Sequence, residues 1–267
     1  MKFRLLPAIA IMFSFALNIL AHEYWIEPGT FFPSPGEKTP LHLYVGDGID
    51  KEREERVYQR EMTTMFQLFG ISKVWNLKTT AIEGATPVQM FSAEKAGNYL
   101  VAMERKWAYI KLEPEKFEDY LREDGMDYII GERAALGESE KIGRERYSRF
   151  LKSLLQAGAT RDATFKKRLG QKLEIIPMEN PYSKNVGDSL TLQVFFDGKP
   201  LADRTVFAEN RESKTQKMVT GKNGEFTVKL EKSGLWLARL VIMQRCKAEC
   251  GEADWESFWG AFSFGVK

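Results

Sequence analysis

Alternating apolar and polar positions run through both ends of the chain, and a longer period interrupts them in the middle. In residues 22–110, "PLHLYVG" sets Leu41, Leu43 and Val45 on one face and His42 and Tyr44 on the other. That is the two-residue period of a half-buried strand. "PVQMFSA" and "GNYLVAMERKW" are further short strands bounded by Gly or Pro, while "PSPGEK" and "GDGIDKEREER" are turns and a charged loop.

The period changes over residues 113–158. Pro114 stands where a first helical turn tolerates it, and Phe117, Tyr120 and Leu121 follow at helical spacing to a stop near Gly125 or Gly131. A second helix is expected from about Ser139 to Ala157. Tyr147, Phe150, Leu151, Leu154 and Leu155 form its stripe, Gly158 its stop, and Arg144, Arg146 and Arg149 a solvated face with Glu145 paired to Arg149.

Residues 171–267 return to strands. "KLEIIP", "SLTLQVFF", "RTVFAE", "QKMVT", "GEFTVKL", "LWLARLVIM" and "FWGAFSFGV" are separated by "DGKP", "GKNG" and "KSG" turns. So many short strands predict an immunoglobulin-like or prealbumin-like sandwich. The last strand carries Phe258, Phe262, Phe264 and Val266 on one face and Trp255 and Trp259 on the other. Burial on both sides is the expectation, with a sugar-stacking aromatic surface as the alternative. The whole is mainly β: two β-sandwich domains, 22–112 and 171–267, with an α-helical insertion at 113–158.

The first residues add a compartment. Lys2 and Arg4 precede an almost wholly apolar run from Leu5 to Leu20, which ends at the small residue Ala21. These are the parts of a cleaved secretory signal, residues 1–21, that places the mature chain in the periplasm. The run is shorter than the roughly 20 residues of a spanning helix, and no later segment looks transmembrane. Removing it takes away two of the 39 Lys+Arg and none of the 37 Asp+Glu, so the mature chain is formally neutral. Such balance offers nothing to nucleic acid. In an oxidising compartment Cys246 and Cys250 of "CKAEC" are expected to form a disulfide, with a soft-metal site including Met243 as the alternative.

Enzyme signatures are scarce. There is no nucleophile elbow, Walker loop, dinucleotide fingerprint or H-E-x-x-H, and no acidic pair stands out. Binding rather than catalysis is therefore expected. A cut before His22 would leave a histidine at the mature start, where the α-amine, with a pKa of about 7.7–8.0, deprotonates readily. That amine and Nδ1 of the same ring close a six-membered chelate suited to nickel, copper, cobalt or zinc rather than calcium or magnesium. His42 is the only other imidazole, and Glu23, Glu27 and Asp47 are nearby in sequence as further ligands. The plain alternative is that His22 merely follows a cleavage site and His42 is a solvated strand residue. An envelope or glycan-binding module is the second function class. A copper oxygenase with a histidine brace is a third, with His42 as the only second histidine available to it.

Longer motifs carry a resemblance. "AHEYWIEP", "KFEDYLREDGMDYIIGER", "RERYSRFLKSLLQAG", "LEIIPMENPY", "GKPLADRTV" and "GEADWESFWGAFSF" together resemble a family of exported bacterial proteins of unknown function, often described as nickel- or cobalt-uptake periplasmic components. The resemblance implies a divalent transition-metal ion as ligand, a metal-uptake transporter as partner, and His22 as the family's leading histidine.

Overall fold

The computed structural model describes residues 23–49 and 52–267. The expected signal segment 1–21, its cut, and His22 itself lie outside the described residues.

The first strands are β1 (Glu23–Pro28), β2 (Lys38–Gly46), β3 (Arg53–Glu55), β4 (Thr63–Phe69), β5 (Val74–Asn76), β6 (Gln89–Ser92), β7 (Gly97–Arg105) and β8 (Ala108–Leu112). Helices α1 (Pro114–Glu123) and α2 (Asp127–Ala135) follow, and then the long strand β9 (Gly143–Ala157). The remaining strands are β10 (Leu173–Pro177), β11 (Ser189–Phe196), β12 (Lys199–Pro200), β13 (Thr205–Asn210), β14 (Gln216–Val219), β15 (Glu225–Lys229), β16 (Gly234–Arg245) and β17 (Trp255–Val266). Each strand read from alternation is present. Pro114 opens α1 as expected, but the chain turns at Asp124–Met126 and continues as a separate α2 that contains Gly131.

Three sheets form. One nine-stranded sheet has the order β14-β13-β16-β17-β9-β7-β4-β5, with β8 also on β9. Its pairings are antiparallel except for β9 with β17, which is parallel. A four-stranded sheet of β1, β2, β3 and β6 covers one face, and a second of β10, β11, β12 and β15 covers the other. Two bonds fix the opposed faces. Ser263 of β17 donates to the Ile26 carbonyl of β1, while Lys152 of β9, level with the neighbouring Phe262, pairs with Glu174 of β10 at 3.0 Å.

One core, including Trp25, Leu43, Phe66, Leu154, Leu173 and Phe262, runs through all three sheets. Each such buried side chain contributes about 1.5–3 kcal/mol. A second, smaller cluster lies under the helices, where Phe117, Tyr120, Leu121 and Ile129 meet Val241, Met243, Trp255 and Trp259.

The helix expected over 139–157 is instead β9, at the centre of the large sheet. Its apolar spacing fits a helix because a strand covered on both faces buries successive residues and loses the strict two-residue alternation. Only Arg144 of the three arginines is on a solvated face, paired with Asp254, whereas Arg146, Arg149 and Glu145 are all buried. The large sheet also takes strands from both sides of the expected insertion, so the division at 113–158 is not a gap between sheets. Cys246 and Cys250 are disulfide-bonded as expected. Arg146 clamps that loop by donating to the carbonyls of Ala248 and Glu249 at 3.0 and 2.6 Å.

Candidate functional site

The largest concentration of buried charge lies at the start of β1. Pairing of Tyr24 with Val45 and of Ile26 with Leu43 sets the strand's register. Glu23, opposite Gly46, is thereby carried under the end of α1. Its carboxylate accepts from Arg239 Nη1 of β16 at 2.7 Å. The same guanidinium reaches Asp124, just past α1, at 3.0 Å and Glu209 of β13 at 2.6 Å. Glu209 also accepts from the Ile49 amide at 3.1 Å, which ties in the loop after β2.

Three buried carboxylates thus share one guanidinium. Burial, and then repulsion from Glu23, holds Asp124 well above the usual carboxylate range despite Arg239. Glu23 is raised by burial, opposed by Arg239, with Glu209 and Asp47 adding repulsion. Burial alone would lower Arg239, but Glu23, Glu209 and Asp124 together hold it above its ordinary value. The cluster is short of positive charge, so it favours uptake of a proton or a cation.

An aromatic wall adjoins it. The Arg149 guanidinium lies 4.1 Å from the Tyr24 ring centroid, 4.6 Å from that of Tyr147 and 5.7 Å from that of Trp259. Tyr120 of α1 stacks on Trp259 with centroids 6.0 Å apart. Beneath it, Glu145 Oε1 accepts from Tyr120 at 3.1 Å and from Ser257, and Trp259 Nε1 donates to Ser257 at 3.0 Å. Burial pushes the Glu145 carboxyl up to about 7, against these hydrogen bonds and Arg149.

The sequence-derived ligand set is only partly brought together. Glu23 is in the cluster, and Asp47 is near enough to act on its charge. His42 lies opposite Glu27, four register positions from Glu23 and so about 13 Å along the strand. Its Nδ1 is 2.7 Å from Glu55, and its ring stacks on Tyr44. Glu27 accepts from Trp25, Arg53 and Arg211 at 2.6–3.0 Å, an ion-pair network rather than an open ligand. Trp255 and Trp259 are 0% and 4% exposed, so they form core under α1 and not a sugar-stacking surface. Among the described residues, no three His, Cys, Asp or Glu side chains are arranged to hold a metal ion.

Sequence reading missed Asp124, Glu209 and Arg239, and took Glu145 for a solvated partner of Arg149 where it is buried against Tyr120 and Ser257. One signal was present: Arg239 is the lone charge in the apolar run Leu235–Met243. A charge in a strand buried on both faces needs a buried partner.

Residues 19–244 match a family described as a domain of unknown function, DUF4198. The chain belongs to this family. The DUF4198 match spans Glu23, Asp124, Glu209 and Arg239, whereas β17, which supplies Trp259, follows it. No curated protein matches the chain. Among solved structures it is similar to the D0–D1 domain of Intimin, at 11% identity over 91% of this chain and 97% of that one, with a TM-score of 0.20. It is also similar to dimeric latent PorU from Porphyromonas gingivalis, at 10% identity and TM-score 0.20, over 99% of this chain and 22% of PorU. Three N-terminal domains of the bacteriophage RB49 outer capsid protein Hoc align at 11% identity over 91% of this chain and 59% of theirs, with a TM-score of 0.18. Among the described residues no helix is long and apolar enough to cross a membrane.

Proposed function

We propose that this protein binds a divalent transition-metal ion at its mature start, in the periplasm, as an accessory to metal uptake. The observation that carries the reading is the carboxylate excess around Glu23. A chain cut before His22 would begin one residue away from that excess. The donor set divides accordingly. The described residues offer charge but not three ligands of their own, and in this reading the nitrogen donors are the amine and imidazole of His22. Glu23 and Asp47 would supply negative charge beside them, an arrangement that favours a cation. The resemblance to nickel- and cobalt-uptake components names the ions to try first, with copper as the third.

The test compares the mature protein with a form carrying one extra residue before His22, which keeps the ring and moves the amine. Nickel and copper affinity by calorimetry should fall at least about 10–100-fold for the extended form and for His22→Ala. Affinity should also fall with pH through the amine and imidazole range, since both donors bind deprotonated. His42→Ala should leave affinity unchanged, because His42 of β2 lies opposite Glu27, four register positions from Glu23. Equal binding by the native and extended forms would sink the proposal.

A further inference from the structure

We propose that a second site, a cleft of ≈ 360 Å³ among residues 32–34, 158–161 and 181–185 and the end of β17, binds a small organic anion through Arg161 and Lys184. Its charge is one-sided. Arg161, Lys184 and Lys267 line it, and none of the lining residues is acidic. Lys184 reaches Glu179 outside the lining, and the Lys267 ammonium lies 4.7 Å from the Phe32 ring centroid. Among the described residues, Arg161 has no hydrogen-bond or ion-pair partner for its guanidinium. An exposed arginine is ordinary on a mobile loop; here the loop is fixed.

The fixing runs through a buried amide network. Gln156, 6% exposed, donates from Nε2 to the carbonyls of Ala157, Gly158 and Thr160 at 3.2, 3.2 and 2.6 Å. Its Oε1 accepts from Asn98 Nδ2 at 2.8 Å. Asn98, 1% exposed, also accepts from Asn180 at 2.8 Å, while Asp162 accepts from the Asn98 amide at 2.8 Å. One side chain thus holds both walls of the cleft: the loop bearing Arg161 and the segment leading to Lys184. Close approach to Asp162 also demands a glycine at 97, where φ is +151° and a Cβ would lie 2.7 Å from Asp162 Oδ2.

Preformed walls lower the ordering cost of binding. Repulsion among the three cations is relieved by a ligand of opposite sign. The arginine fork matches the paired oxygens of a carboxylate or phosphate, and the volume falls in the range of small-molecule sites, about 300–1,000 Å³. The cleft is lined by Phe32–Ser34, beyond the end of β1 opposite Glu23, and shares no lining residue with the Glu23 cluster, so it is independent of the metal reading.

The test is titration of the full mature protein with citrate, inorganic phosphate and, as a neutral control, glucose, followed by NMR shifts of residues 158–161 and 181–185. Either anion should bind with a dissociation constant below about 1 mM, and glucose should not. Citrate alone would identify a carboxylate ligand, phosphate alone a phosphoryl ligand, and both would support the site. Arg161→Ala and Lys184→Ala should each weaken binding at least about tenfold, the loss of one charge-assisted hydrogen bond, without shifting thermal unfolding. The proposal is overturned if neither anion moves those resonances, if glucose binds equally, or if both variants bind within about twofold of the wild type.

Discussion

Glu145 shows how one buried side chain sets a property of the whole protein. Burial raises its carboxyl from an ordinary 4.5 to about 7, so between those values the folded chain holds a proton that the unfolded chain has lost. Folding is therefore favoured on the acid side, and this contribution is lost as pH rises through about 7, by at most roughly 3 kcal/mol. Glu23 and Asp124, also raised, add in the same direction. Glu145→Gln still accepts from Tyr120 and Ser257 but cannot titrate. Urea unfolding between about pH 5 and 8 should show the wild type losing more stability than the variant, and equal losses would refute the assignment. Little of this environment was legible in the sequence. The partners Tyr120 and Ser257 come from segments that meet only once α1 lies across the large sheet, and local pattern carries no record of that.

Among elements, β9 is where sequence and structure part. "RERYSRFLKSLLQA" has helical spacing and no β-branched residue, so period and propensity both favoured a helix. Tertiary context overrides them: β17 on one side, and β7 and β8 on the other, take up its backbone hydrogen bonds. The short strands were legible because each keeps one face in contact with a core and alternates, as Leu41, Leu43 and Val45 do. The start of β9 also depends on a missing side chain. A Cβ at Gly143 would lie 2.2 Å from the Phe117 ring, which is fully buried beneath α1. Gly143→Ala should therefore cost about 1–3 kcal/mol in urea unfolding, the usual range for overpacking. Phe117→Leu in the Gly143→Ala background should cost less than Phe117→Leu alone, because the smaller side chain relieves the clash. Additive losses in that double-mutant cycle would show that the two positions do not meet.

For the whole molecule, β9 decides whether the chain holds one folding unit or two. The expected domains 22–112 and 171–267 each keep most of their strands but neither contains β9. Cutting it away would strip β7 of its partner on one side, leave β8 with no ladder, and open the edge of β17. Bare edges of this kind pair with other chains. The core would also be split, since Leu151, Leu154 and Leu155 of β9 belong to a cluster that draws on all three sheets. An independent domain needs a core of its own, and neither fragment retains one intact. The mature protein should then unfold in one calorimetric transition whose van't Hoff and calorimetric enthalpies agree. Fragments 22–112 and 171–267, made separately, should lack dispersed NMR spectra and cooperative unfolding, and mixing them without residues 143–157 should not restore either. A fragment that folds cooperatively by itself would show that the parallel β9–β17 seam joins two finished domains instead of completing one.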